Sequence, residues 1–387
     1  MKTVYFDHAA TTPVDERVVE AMIPYFTEHY GNANSTHELG SSAKVAVEEA
    51  RETVAEIIGA EPAEIIFTSG GTESDNTAIK GVVEATGKKE VITSPLEHHA
   101  VLHTVEALKR HGIKPVYVEP EAGGTVSPDK VANAITDETA LVSLMHVNNE
   151  IGSINPICEI AEVCDEHDVL FHSDTVQSIG KLPVDVDELG LDFLSMSGHK
   201  IYGPKGIGVM YMRHGSAWIP WMHGGSQERR RRGGTLNVPG IVGLAEALEL
   251  ITKKREEHWE HFKKLRSKLA KGLYETFGDT VQVNGPAEGQ GVPHIMNLSF
   301  TNPSGGGLDG EMLLLNLDVE GICVSNGSAC TSGALEPSHV LEGIGMKEDV
   351  ANSSIRISMG KDNTEEEIDY LIEKLKLVVD RMKTVTA

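Results

Sequence analysis

A chain of 387 residues, 40% of them hydrophobic and with a mean hydropathy of −0.18, is long enough for a large core and two domains. Its net charge of −24, from 58 acidic against 34 basic residues, argues against nucleic acid or an anionic membrane as partner. It suits a partner with a basic docking patch. No apolar run is long enough to span a bilayer, and Met1–Asp7 lacks the apolar core of a secretion signal, so a cytoplasmic location is expected.

From about residue 60 to 215, strands alternate with helical segments. Glu64–Thr68 reads as a short apolar strand, and Ser69-Gly70-Gly71-Thr72 opens a helix. Further strands are expected at Glu90–Thr93, Pro115–Val118, Ala140–Met145, Val169–Asp174, Leu191–Met196 and Gly208–Met212. Buried strands alternating with helices predict an α/β fold, a mostly parallel sheet with helices on both faces. After Pro239 the pattern changes. Ile241–Phe277 reads as one long helical connector, Ile295–Phe300 and Ser354–Ser358 as strands of a smaller α+β domain. Thr364 with Glu367 reads as a capping box that opens a final amphipathic helix.

Polar residues follow successive strand ends. His98, Asn149, Asp174 with Gln177, and Ser197 with His199 and Lys200 come after four different strands, and in a parallel sheet those ends share one edge. A lysine and an upstream aspartate so placed fit a pyridoxal phosphate site, the lysine as Schiff-base former and the aspartate as partner of the ring nitrogen. Taken singly, a surface lysine, a capping aspartate or a turn residue explains each. Gly70-Gly71-Thr72 at a strand-to-helix junction offers backbone N–H groups to a phosphate, although a plain tight turn has the same sequence. Arg229–Arg232 beside Gly233-Gly234-Thr235 admits a phosphate contact or a solvated face.

The four cysteines are too few for a disulfide framework, and no Cys-x-x-Cys or histidine cluster suggests a metal. Cys158 and Cys164 read as small core or half-buried residues. Cys330, in Gly327-Ser328-Ala329-Cys330-Thr331-Ser332-Gly333, lies among small residues, which suits a reactive thiol on a loop.

These motifs resemble the cysteine desulfurases of the NifS/IscS type, fold-type I pyridoxal phosphate enzymes of the class V aminotransferase family. The resemblance rests on Asp7–Asp15, Phe67–Asn76, Met145–Gly152, Ser197–Lys200, Gly327–Ser332 and Ser353–Arg356. It implies a large domain over 12–255 and a smaller one over 1–11 and 256–387 that carries the Cys330 loop. Lys200 would bear the cofactor, Asp174 pair with its ring nitrogen and His98 stack on the ring and shuttle a proton. Asn149 and Gln177 would approach the ring substituents. Gly71, Thr72, Ser197 and His199 would hold the phosphate, with Thr235 reaching in from a second subunit of a homodimer. Arg356, with Asn149, would bind the substrate, and Cys330 would accept its sulfur as a persulfide.

The implied reaction converts L-cysteine to L-alanine and passes sulfur to an iron–sulfur scaffold protein or another acceptor. No resident metal is implied, although Cys330 could serve as a transient iron–sulfur ligand. A selenocysteine lyase or a β-lyase would use the same cofactor residues, and an assembly platform would use Cys330 as a cluster ligand. The sequence departs from the family pattern at His8, at Ser173–Gln177, at Asn326 and in the glycine-rich Asn302–Gly307. The final helix is expected to run through about Met382, and the resemblance then implies an absent or short version of the extended tail that helps some relatives dock a scaffold.

Overall fold

The order of seven strands explains where a ligand can lie. The computed structural model describes residues 3–301, 306–326 and 337–385. After a two-residue strand β1 (Val4–Tyr5), the central sheet comprises β2 (Ile65–Thr68), β3 (Glu90–Thr93), β4 (Lys114–Tyr117), β5 (Thr139–Ser143), β6 (Leu170–Asp174), β7 (Phe193–Ser197) and β8 (Gly208–Met212). Their spatial order is β2-β8-β7-β6-β5-β3-β4. β3 to β7 pair in parallel, while β8 runs antiparallel to both β7 and β2. Six strands therefore point one way, and the carboxyl ends of β2, β3, β5, β6 and β7 share an edge.

The strands are mostly apolar on both faces because both faces are covered. Ile65 and Phe67 pack with Val54 and Ile58 of the Glu38–Ile58 helix and Leu244 of the Val238–Lys253 helix. Ile66, between them, packs with Ile79 and Val82 of the Gly71–Thr86 helix and Val101 of the His99–Leu108 helix. A second core forms around β9 (Val281–Asn284), β10 (Ile295–Phe300) and β12 (Ser354–Ser358), an antiparallel sheet in the order β12-β10-β9. β1 pairs in parallel with β11 (Ile322–Cys323), so Val4 and Phe6 join this core with Leu269, Leu298, Ile357 and Leu375.

The long connector expected over Ile241–Phe277 is two helices, Val238–Lys253 and Arg255–Phe277, parted at Lys254. The break has a packing reason. Leu244, Leu248 and Ile251 face the first core, whereas Phe262, Leu265 and Leu269 face the second, and one straight stripe does not serve both. The short strands β1, β9 and β11 escape sequence reading because two to four residues are too few to show a period. At the last helix the capping box forms as expected. The Thr364 hydroxyl accepts from the Glu367 amide at 3.3 Å, and the Thr364 amide donates to the Glu367 carboxylate at 3.2 Å. Cys164 is buried in the core, while Cys158 is exposed rather than half-buried.

Candidate active site

A cavity of about 580 Å³ opens at the carboxyl edge of the sheet. Its walls include Gly71 and Thr72 after β2, His98 after β3, Asn149 after β5, Asp174 and Gln177 after β6, and Ser197, His199 and Lys200 after β7. Arg356 of β12 closes it from the second core.

Lys200 ends a single 3₁₀ turn, Gly198–Lys200, that leaves β7. Its Nζ donates to the carbonyls of Ala9 at 2.6 Å and Ala10 at 2.7 Å. Burial depresses the amine to about 8; Arg356 lowers it further, against the pull of Asp174 and Asp7. An amine so depressed is neutral in an appreciable fraction near neutral pH, as a nucleophile or base must be. Lys181, which sequence reading passed over, donates its Nζ to the Lys200 carbonyl at 3.2 Å.

Asp174 closes β6, and its carboxylate accepts the Val176 amide at 2.9 Å. Burial pushes it up to about 6, with Lys200 pulling the other way. Gln177 donates Nε2 to the Ala9 carbonyl at 2.9 Å. The His98 ring caps the His99–Leu108 helix by accepting the Ala100 amide on Nδ1 at 3.1 Å. Burial, reinforced by Lys200, lowers His98 to about 4, so the ring is neutral and carries its proton on Nε2.

The chain turns from β2 into the Gly71–Thr86 helix with no side chain capping that end. First-turn N–H groups thus face the cavity with the positive end of the helix dipole. The turn is tight: a Cβ on Gly208, opposite it in β8, would stand 2.6 Å from the Gly70 Cα. Ser197 and His199 line the same corner. His199 Nδ1 meets the Thr11 hydroxyl at 3.1 Å, and burial, then Lys200, lowers its ring to about 4.

Across the cavity, Arg356 donates to the Asn149 carbonyl at 2.9 Å and to Asp7 at 2.8 Å, while its Nε has no hydrogen-bond partner among the described residues. Asp7 also accepts from the Ser325 hydroxyl at 2.9 Å. Asp7, Asp75, Glu150, His99 and His339 line the cavity too, although sequence reading gave them no role. For Asp75 a signal existed, since it shares a stripe with Ile79, Val82 and Val83 on the buried face of its helix. A carboxylate on such a stripe is anomalous.

One expected residue does not line this cavity, and another falls outside the described residues. Thr235 is exposed and does not line this cavity in the single chain. Cys330 lies outside the described residues. The arginine run is engaged in structure. Arg232 pairs with Glu73 at 2.8 Å, Arg231 donates to the Ala63 carbonyl, and Arg229 to the Pro62 carbonyl at 3.2 Å. Next to it, Glu228 accepts Arg51 through both carboxylate oxygens, at 2.7 and 2.9 Å, and the Phe67 amide at 2.9 Å. This buried clasp holds Glu228, Arg229 and Arg230 in left-handed backbone (φ 43°, 55° and 67°).

The cavity thus offers a depressed amine, a buried carboxylate, an uncapped helix start with two polar side chains and a guanidinium. That donor set fits pyridoxal phosphate, for which an aldehyde, a ring nitrogen and a phosphate need these partners.

A family profile described as aminotransferase class-V matches residues 4–371. The chain is similar to "Cysteine desulfurase IscS" of Methanosarcina thermophila, at 47% identity over all of this chain and 94% of the relative. Among solved structures it is similar to a "NIFS-LIKE PROTEIN", with 40% identity, a TM-score of 0.91 and coverage of 98% of this chain and all of the other. A structure titled "SspA in complex with cysteine" matches at 37% identity and a TM-score of 0.79, covering 94% of this chain and all of the other.

Proposed function

The chain belongs to the aminotransferase class-V family, and we propose that it is a cysteine desulfurase of the NifS/IscS type that converts L-cysteine to L-alanine with pyridoxal phosphate. The observation that carries this reading is the meeting of Lys200, Asp174 and the uncapped Gly71–Thr86 helix with Arg356 in one cavity. When bound, pyridoxal phosphate supplies a carbonyl for a Schiff base and a ring that takes up carbanion charge.

Lys200 would carry the cofactor, Asp174 face the ring nitrogen, and Asn149 and Gln177 the ring substituents. Gly71, Thr72, Ser197 and His199 would hold the phosphate. The Arg356 guanidinium would bind the substrate carboxylate, whose charge replaces that of Asp7. Lys200 Nζ then serves as base at the substrate Cα, and the neutral His98 has a proton on Nε2 to give. The Cys330 thiolate attacks the substrate sulfur. A C–S bond breaks, an S–S bond forms and carbon keeps the electron pair, so cysteine plus thiol becomes alanine plus persulfide with no outside oxidant.

The sulfur would pass to an iron–sulfur scaffold or another acceptor, for which the net charge of −24 favours a basic docking face. Exposed Thr235 and the apolar patch of Ile23, Phe26 and Tyr30 support a homodimer in which Thr235 completes the partner's phosphate site. The two separate cores support the division into 12–255 and 1–11 with 256–387. A cytoplasmic location is proposed; among the described residues no helix is long and apolar enough to cross a membrane.

Mass spectrometry after brief cysteine exposure tests the reading. A sulfur adduct on Cys330 is expected. Lys200→Ala should lower alanine formation by at least about 10²–10⁴-fold, the usual worth of a positioned base. Cys330→Ala should bind cysteine yet release no sulfur. Sustained alanine and sulfide from Cys330→Ala would refute the role of that thiol.

A further inference from the structure

Three strands of the second core meet at one side of the cavity. β1 pairs with β11, and just past β1 the Phe6 amide donates to the Cys323 carbonyl at 2.8 Å. On its other side this segment runs along β12: Asp7 bridges to Ser358, and the Ser358 amide donates to the Phe6 carbonyl at 2.7 Å. Ser325, two residues beyond β11, forms an antiparallel bridge with Arg356 of β12. The Tyr5 hydroxyl bonds the Asp7 and Thr11 carbonyls at 3.0 Å each and so holds the turn that carries Asp7. Asp7, Ser325 and Arg356 are thereby set side by side, and all three line the cavity.

One carboxylate oxygen serves two donors here. Asp7 Oδ1 accepts from Arg356 at 2.8 Å and from the Ser325 hydroxyl at 2.9 Å. The Arg356 side chain is 4% exposed, and among the described residues Asp7 is the one carboxylate within ion-pair distance of it. A carboxylate ligand arriving at this guanidinium therefore meets Asp7 already in place. Two carboxylates on one buried guanidinium leave a negative charge unmatched, so the ligand and Asp7 compete. A hydroxyl bonds a full anionic charge more strongly than one offset by a guanidinium, so Asp7 released from Arg356 holds Ser325 more tightly. From Ser325 the chain leads in five residues to Cys330. Beyond that stretch, the Ser338 hydroxyl donates to the buried Glu150 carboxylate. Of these two anchoring carboxylates, Asp7 is the one that also holds Arg356.

We propose that Asp7 is a positioning residue that couples occupancy of Arg356 to Ser325, at the root of the segment bearing Cys330. A carboxylate that takes Arg356 leaves Asp7 to the Ser325 hydroxyl. Conversely, the Ser325 bond draws Asp7 away from Arg356 and frees the guanidinium for the ligand, because coupling between two sites is reciprocal. The proposal rests on the reading of Arg356 as the clamp for the substrate carboxylate. Asp7 would then set how readily an amino-acid carboxylate is accepted, and Ser325 would register that it has been.

The test titrates the holoenzyme with L-alanine, which has the amine and carboxylate of the substrate but no sulfur to give, and follows the visible absorbance. Asp7→Asn keeps the shape and an acceptor oxygen but removes the charge, and it should tighten L-alanine about five- to tenfold. Ser325→Ala leaves Asp7 wholly to Arg356 and should weaken L-alanine by about the same factor. In the Asp7→Asn background, Ser325→Ala should change the affinity by less than about twofold, since no competing charge remains to be drawn off. A merely structural role would weaken binding in both single variants, and the losses would add. Weaker binding in Asp7→Asn, or additive effects in the double variant, overturns the proposal. A second arm needs no cofactor: the rate at which phenylglyoxal modifies Arg356, located by mass spectrometry in cofactor-free protein, should rise in Asp7→Asn and fall in Ser325→Ala. Equal rates in all three proteins overturn the proposal. Should Asp7→Asn fail to fold, Ser325→Ala still decides, because unchanged affinity and unchanged modification would refute the coupling. If the wild-type holoenzyme does not bind L-alanine, the clamp reading fails, and the phenylglyoxal arm alone reports whether Ser325 and Arg356 share Asp7.

Discussion

The Arg51–Glu228 clasp and the floor of the cavity are both buried and charged, yet they are built in opposite ways. In the clasp, a bidentate pair is completed by the Phe67 amide and the Ile65 carbonyl, so both charged groups are fully engaged. At the cavity, Asp75 Oδ1 and Arg356 Nε lack hydrogen-bond partners among the described residues, and Lys200 rests on two neutral carbonyls. Matched charge fixes backbone, here the left-handed run at Glu228–Arg230 that leads to Thr235. Unmatched charge leaves interaction free for a ligand, and its groups carry the shifted protonation equilibria.

Three measurements sharpen that contrast. The largest effect is expected in the clasp. Glu228→Leu leaves Arg51 buried without its partner and should cost about 3–5 kcal/mol in urea unfolding. A cost under ~1 kcal/mol would remove the distinction between the two regions.

At the cavity the effect should appear in titration. In cofactor-free protein, acetylation of the Lys200 amine should follow a midpoint near about 8. Arg356 lowers this amine, so Arg356→Leu should raise the midpoint; Asp7 raises it, so Asp7→Asn should lower it. Midpoints that do not separate in that order would show Lys200 insulated from both.

The smallest effect belongs to an exposed feature away from either region. Thr364→Ala removes the cap of the last helix and should cost about 1 kcal/mol in thermal unfolding, without altering Lys200 titration. A change in that titration would mean that the end of the last helix, and not Arg356 alone, couples the second core to the cavity.

Much of this was legible in the chain. Short, mostly apolar runs ending in polar residues located the sheet strands, because strands covered on both faces bury most of their side chains and admit polar ones mainly near the edge where they leave the sheet. Ser69-Gly70-Gly71-Thr72 marked the helix start that faces the cavity, and Thr364 with Glu367 marked another, since both signals are local. The placement of Lys200 and Asp174 after neighbouring strands suggested pyridoxal phosphate, and the resemblance narrowed the reaction. Asp75 and Asp7 stood inside recognised motifs without a role, because a carboxylate reads the same on a solvated face as on a buried one.

Length, strand pattern and local turn chemistry by themselves determined an α/β sheet with a row of polar residues along one edge. Those signals come from neighbours in the chain, through hydrophobic periodicity and capping. Only the tertiary structure decided which charges meet. It brought Arg356 to Asp7 and Asn149, set Lys200 against Ala9 and Ala10, and lowered Asp75 onto His172. The reason is physical: the protonation state of a buried group depends on desolvation and on charges from distant segments, and neither exists until the chain has folded.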